Sequence, residues 1–204
     1  MIAPDDAPAD LTAMHDKALV DAFLAGSGAA LVVLVRRLQP SLIRVAGAVV
    51  GSERAEDITQ EAWIRILRGL PEFRWGSALK TWAIRVTLNQ AYSDLRRQRR
   101  QIVVDPSTDE HFDARGRWRE RPQAWHQDTP EAILASAQLS DVIRKELDAL
   151  PEAQRLAVLL RDVEGLEMGA VCNILEVSAS NARVLLHRGR NKLREAIDAF
   201  QAGH

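Results

Sequence analysis

The chain has 204 residues, 47% of them hydrophobic and 27% charged, with a net charge of −1. This is the balance of one large or two small globular domains, and it excludes a general nucleic-acid coat protein, which would be strongly basic. No run of 18 apolar residues is present, the N-terminus opens on Asp5, Asp6 and Asp10 without a basic flank, and Cys172 is the single cysteine; the expectation is a cytoplasmic chain with no membrane insertion, no secretory signal, no internal disulfide and no multi-cysteine zinc site.

The predicted elements are helices throughout. Leu19, Phe23 and Leu24 make a first short stripe, broken at Gly26, Ser27 and Gly28. Ala29 to Val50 is apolar but interrupted by Arg36, Arg37, Pro40 and Arg44. Trp63, Ile66, Leu67 and Leu70 follow the i, i+3, i+4, i+7 spacing of one helix face, and so do Leu79, Trp82, Ala83 and Val86. From Arg74 to Arg100 the bases Arg74, Lys80, Arg85, Arg96, Arg97, Arg99 and Arg100 face Asp94 as the one acid. The segment from Gln101 to Asp128 carries Pro106 and Pro122, many charges and no apolar period, and Asp105 to Thr108 is turn-like. Roughly 28 such residues are too many for a loop inside one compact domain, so the segment is predicted to be a flexible linker able to reach up to ~90 Å. Thr129 and Pro130 suit an N-cap and first helical position. Leu156, Leu159, Leu160 and Val163 give the next helical stripe.

The most specific local pattern lies in Glu167 to Arg194. Met168 to Leu175 is predicted as a short helix with Val171, Ile174 and Leu175 inward; Glu176 and Val177 turn, and Ser178 caps a second helix. There Ala182, Leu185, Leu186 and Gly189 form the buried stripe, continued by Leu193 and Ile197. Arg183, His187, Arg190 and Arg194 occupy the opposite face. A short helix, a tight turn and a longer helix with a basic face is the helix-turn-helix arrangement, whose second helix enters the major groove.

Other chemistries find little support. Asp109, Glu110, His111 and Asp113 have metal-binding side chains, but they fall in the predicted linker, where a solvated charge run is the simpler reading. His15, His126 and His204 lack convincing partners, and no Gly-rich phosphate loop or nucleophile motif occurs. No enzyme activity, metal or cofactor is expected. A dimeric helix-turn-helix regulator accounts for Met168 to Arg194 but leaves Asp57 to Arg100 unexplained.

A family resemblance accounts for both halves. Leu150-Pro151-Glu152-Ala153-Gln154-Arg155, Leu159 to Leu166 and Leu186-His187-Arg188-Gly189-Arg190 closely resemble region 4 of extracytoplasmic-function (ECF, group 4) sigma factors of the sigma-70 family. Ala55 to Trp63 resembles regions 2.1 and 2.2; Phe73-Arg74, Lys80 to Val86, Asn89 and Asp94-Leu95-Arg96-Arg97 resemble regions 2.3 and 2.4.

The resemblance implies an all-α fold of two small helical domains: a region 2 bundle over residues 1–100, a linker over 101–129 and a region 4 helix-turn-helix over 130–204. It implies a sigma factor that binds core RNA polymerase and promoter DNA, directs promoter-specific initiation and answers stress through an anti-sigma factor, which would also hold it near the membrane. Core polymerase would meet Asp57, Gln60, Glu61, Ile64 and Arg65. The −10 element, read as single-stranded DNA, would meet Trp75, Lys80, Arg85, Asn89, Arg96 and Arg97, with Phe73 and Trp82 mainly in the core; aromatics stack on bases and cations track the backbone. The −35 element would meet Ser180, Asn181, Arg183, Val184, His187, Arg188 and Arg190. The family often has polar residues after the arginine where this chain has Val184 and Leu185; Leu185 belongs to the core stripe, and Val184 suits a thymine methyl. Phe112, Trp118 and Trp125 are further candidate contacts for the anti-sigma factor.

Overall fold

A computed structural model of the chain describes residues 9–101 and 137–202. The predicted linker, the Thr129–Pro130 cap, the acidic group around His111 and the aromatics Phe112, Trp118 and Trp125 lie outside these residues. Nine α-helices are present among the described residues: α1 (Ala9–Ala13), α2 (Asp16–Leu24), α3 (Gly28–Val50), α4 (Ser52–Gly69), α5 (Leu79–Gln101), α6 (Ala137–Ala149), α7 (Glu152–Val158), α8 (Met168–Leu175) and α9 (Ala179–Ala202). The all-α expectation holds.

Helix α3 organises the N-terminal half. Ser27 Oγ accepts from the Ala30 amide at 3.3 Å and starts it. Arg36, Arg37, Pro40 and Arg44, which interrupt the apolar run, are all exposed on this helix, while Leu34, Leu38, Leu42 and Val45 are buried on the other side. Pro40 removes one backbone donor without ending the helix. Helices α2, α4 and α5 all pack on α3. Each fully buried Leu or Ile here, Leu19, Leu34, Leu42, Ile58 and Ile84 among them, contributes about 1.5–3 kcal/mol relative to exposure. Arg37 ties the chain's start to this core, donating to Asp16 at 2.6 Å and to the Met14 carbonyl at 2.9 Å.

In the C-terminal half, α9 packs on α6, α7 and α8. Its close approach to α7 depends on Gly189: a Cβ there would sit 2.6 Å from Val158 Cγ2 and 3.3 Å from the Gln154 carbonyl oxygen. Gly189→Ala therefore sets a gain in helix propensity of ~1 kcal/mol against an overpacking cost of ~1–3 kcal/mol. Because Val158 is buried and the second neighbour is main chain, overpacking wins. The expected result is a melting temperature several degrees lower in the full chain, read by circular dichroism; an unchanged or raised midpoint would contradict it.

One predicted stripe fails locally. Leu156, Leu159 and Leu160 are buried, but Val163 is 49% exposed. The reason is a π-helical turn over Leu159–Val163, in which the Glu164 amide bonds the Leu159 carbonyl at 2.9 Å. That i→i−5 step shifts the register, so 3.6-residue spacing no longer applies beyond Leu160. It carries Val163 outward and Glu164 inward, and Gly165, at φ 70°, then turns the chain toward α8.

Candidate nucleic-acid and polymerase interface

On α4, Asp57, Gln60, Glu61, Ile64 and Arg65 are all exposed, while Ala55, Ile58, Thr59, Ala62 and Ile66 face the core. Helical spacing alone produces this division, since 57, 60, 61, 64 and 65 fall on one side. Ile64 is 52% exposed, a large apolar side chain at the middle of a charged rim. Glu61 is steadied from behind by Gln90 of α5, whose Nε2 donates to it.

The segment before α5 holds an aromatic cluster. Phe73 meets Trp75 edge-on and Trp82 at a tilt, both at 4.9 Å between ring centres. Trp75 lies in the loop, as expected, but it is half-buried and sits at φ 55°, so it is held by Phe73 rather than swinging freely. Phe73 and Trp82 are also half-buried against the core. Along α5, Arg85, Asn89 and Arg96 are exposed on one helix face. Arg97 is exposed too, with its guanidinium 2.8 Å from Asp94; that carboxylate is buried and also takes Arg54 at 2.5 Å. Lys80 falls on another side of α5. Its Nζ is 2.8 Å from Glu164 Oε2 and donates to the Glu164 carbonyl at 3.0 Å.

Glu164 was not among the residues singled out from sequence, and nothing local could have found it, because its partners lie far away in the chain. Its side chain is fully buried, and Arg44 Nε donates to Oε1 at 2.8 Å. Burial alone would raise its pKa, but hydrogen bonds from Lys80, Ser41 and Arg44 outweigh burial and hold it below the ordinary 4.5. The contact is therefore at full strength above that value and is lost only as pH falls through the depressed one. A second link joins the halves where Tyr92 Oη donates to Glu152 Oε1 at 2.9 Å; burial, then this carboxylate, push the phenol pKa upward. Buried apolar residues of both halves belong to one continuous cluster, from Leu34 and Ile84 to Leu156 and Leu160.

The C-terminal pair α8–α9 has the predicted form. Glu176 adopts the left-handed conformation that ends α8, and Ser178 Oγ accepts from the Asn181 amide at 3.2 Å to start α9. Ala182, Leu185, Leu186 and Gly189 are buried. Ser180, Asn181, Arg183 and Arg188 are exposed; Val184, His187 and Arg190 are half-buried. An open hollow of about 470 Å³ runs along this face, lined by Met168, Arg183, Val184, Leu186, His187 and Arg190. Arg190 is already engaged: Asp162 receives its Nε at 2.8 Å and Nη2 at 2.5 Å. This bidentate bond outweighs burial and raises the guanidinium pKa further. Sequence alone did not reveal Asp162 as its partner. Among the described residues no three His, Cys, Asp or Glu side chains gather to hold a metal ion, and no helix is long and apolar enough to cross a membrane.

Two exposed cationic surfaces on an all-α scaffold, one next to an aromatic cluster and one on a helix-turn-helix, are features of a DNA-binding protein. The match to known families follows the same division: residues 34–101 match Sigma-70 region 2, and residues 140–193 match Sigma-70, region 4. The chain is 31% identical over 188 residues to the ECF RNA polymerase sigma-E factor of Escherichia coli, covering 91% of this chain and 93% of the relative. The Haemophilus influenzae sigma-E factor is 28% identical over 189 residues, covering 90% and 96%. The chain belongs to the ECF RNA polymerase sigma factors. Two solved structures share the fold: the sigma factor RpoE in complex with the anti-sigma factor NepR from Bartonella quintana (TM-score 0.57, 22% identity, 80% of this chain and 94% of that one), and CnrH in complex with the cytosolic domain of CnrY (TM-score 0.54, 20% identity, 90% and 97%).

Proposed function

We propose that this sigma factor works in the cytoplasm, docks on core RNA polymerase through the α4 face, reads the −10 element with the Phe73–Arg97 segment and reads the −35 element with α9. The boundaries proposed for these units are residues 1–100 and 130–204, joined by 101–129. The observation that carries the reading is the pairing, in the family's order, of the exposed Asp57–Arg65 face with the exposed Arg183 and Arg188 of a helix-turn-helix. Each module alone offers few phosphate contacts, in keeping with the −1 net charge; joint engagement on polymerase supplies the missing affinity through effective concentration. An anti-sigma factor is proposed as the negative regulator, released under stress and keeping the chain near the membrane when it is itself anchored there. Support comes from the structural neighbour RpoE, a sigma factor solved in complex with an anti-sigma factor.

The test is run-off transcription with purified core polymerase on the promoter upstream of the chain's own gene. The expected result is a transcript that depends on this protein and is silenced by the product of the neighbouring gene. Absence of any binding to core polymerase would overturn the sigma reading. Transcription that persists at saturating neighbour product would remove that product as the regulator.

A further inference from the structure

We infer that Glu164 is a latch that holds the two DNA-reading halves of the free chain in a closed, promoter-incompetent state. The inference rests on the promoter reading proposed above. Its first support is geometric. The π-helical turn ends at Glu164 and aims a fully buried carboxylate at Arg44 of α3 and Lys80 of α5, each at 2.8 Å, while the adjacent carbonyl also accepts from Lys80. A carboxylate this deeply buried is costly unless its charge is met. Here the cations that meet it come from the other half, so each half depends on the other to complete the cluster. Tyr92 and Glu152 add a second bond across the same junction.

The second support is the size of a promoter. Elements named for positions −10 and −35 lie about 25 base pairs apart, roughly 85 Å along B-DNA at about 3.4 Å per pair. The two modules share one continuous core, and a compact chain of this size is about 40 Å across, so the packed modules do not reach both elements at once. Closed and promoter-bound states therefore exclude each other. The latch also neutralises Lys80, one of the cations assigned to the −10 strand, so that the carboxylate occupies a place a phosphate would need. Docking of α4 on polymerase leaves the junction as the remaining obstacle, and DNA phosphates compete with Glu164 for Lys80 during opening. The closed form would keep unbound sigma factor from occupying promoter DNA unproductively.

The test is single-molecule energy transfer on the full chain, with dyes at Glu56→Cys and Asp198→Cys in a Cys172→Ser background; both labelled positions are exposed. The free chain is expected to show one dominant high-transfer population. Glu164→Gln, close in shape but uncharged, is expected to raise the open-to-closed ratio roughly tenfold, as losing a charged hydrogen bond would. Arg44→Gln, altered on the exposed partner, is expected to act in the same direction, and circular dichroism will confirm that both variants stay folded. An unchanged ratio in both folded variants, or a wild-type chain already extended, would overturn the latch. Lys80→Gln separates the latch from the promoter reading. If it opens the free chain but leaves promoter melting by the polymerase complex intact, the −10 role of Lys80 fails and the latch stands.

Discussion

Affinity for core polymerase is expected to drop by roughly a hundredfold in the Asp57→Lys, Ile64→Asp double variant, with little change in thermal stability. The two effects separate because of where these side chains sit. Ile64 is 52% exposed in the free chain, so replacing it removes little that the fold uses, and substitutions at such positions usually stay within about 0.5 kcal/mol. At an interface the same residue behaves differently. A hot spot is a side chain that becomes fully desolvated inside a ring of contacts that exclude water, and truncating one costs about 2 kcal/mol or more. Reversing Asp57 then places a cation where the partner surface expects an anion, which adds like-charge repulsion. About 2.7 kcal/mol corresponds to the hundredfold. Titration of labelled core polymerase reads the affinity, and circular dichroism reads the fold. Binding that survives in a folded double variant would remove the α4 face as the docking site and move attention to the remaining surface of α2 and α3.

Those residues were named from the family resemblance, and helical spacing accounts for their exposure. With Ile58, Thr59, Ala62 and Ile66 on the core side of the helix, Gln60, Glu61, Ile64 and Arg65 fall on the outer side. The same logic placed Ala182, Leu185, Leu186 and Gly189 inside α9 and left Arg183 and Arg188 outside. It failed where the backbone departs from 3.6 residues per turn. Val163 was assigned to a buried stripe, but the π-helical turn over Leu159–Val163 adds a residue to the turn and rotates it to the surface. No propensity marks such a turn, because bonds to residues beyond it hold it in place: the Leu166 amide donates to the Leu160 carbonyl at 2.9 Å, and Arg161 Nη1 reaches the Leu166 carbonyl at 2.7 Å.

Ion pairing was the other blind spot. Sequence shows which cations exist but not which are already engaged. Lys80, Arg97 and Arg190 look as available as Arg85 or Arg183, yet each is held by an acid of this chain, Glu164, Asp94 and Asp162 respectively. Asp94 lies only three residues from Arg97 and was open to inference as an i, i+3 pair. Asp162 and Glu164 come from a separate helix and, for Glu164, from the other half of the chain. The π-helical turn serves both: it points Asp162 toward α9 and Glu164 toward α3 and α5, so one irregular turn fixes the recognition helix and the domain junction together.

That division among the cations of α9 sets the last expected result. Arg183→Ala, Arg188→Ala is expected to reduce transcription from a promoter with a −35 element by about tenfold to a hundredfold, with core-polymerase affinity unchanged. Both side chains are exposed at the N-terminal part of the recognition helix, where side chains reach base edges and phosphates; a good base contact is worth about 1–3 kcal/mol of discrimination. Arg190→Ala should differ in kind. Its guanidinium is committed to Asp162, at 40% and 31% side-chain exposure for the two partners, so its loss loosens the seating of α9 on the π-helical turn and lowers affinity for every sequence alike. Two measurements distinguish them. Against promoters altered one base pair at a time, the double variant loses its −35 preference, whereas Arg190→Ala keeps the preference and lowers the whole profile. Against salt, the double variant has a shallower dependence than wild type, because each phosphate contact removed takes about one counterion from the slope. If Arg190→Ala instead relaxes the −35 preference and the double variant does not, the roles are reversed, and Asp162 holds Arg190 in the free chain only until a guanine takes its place.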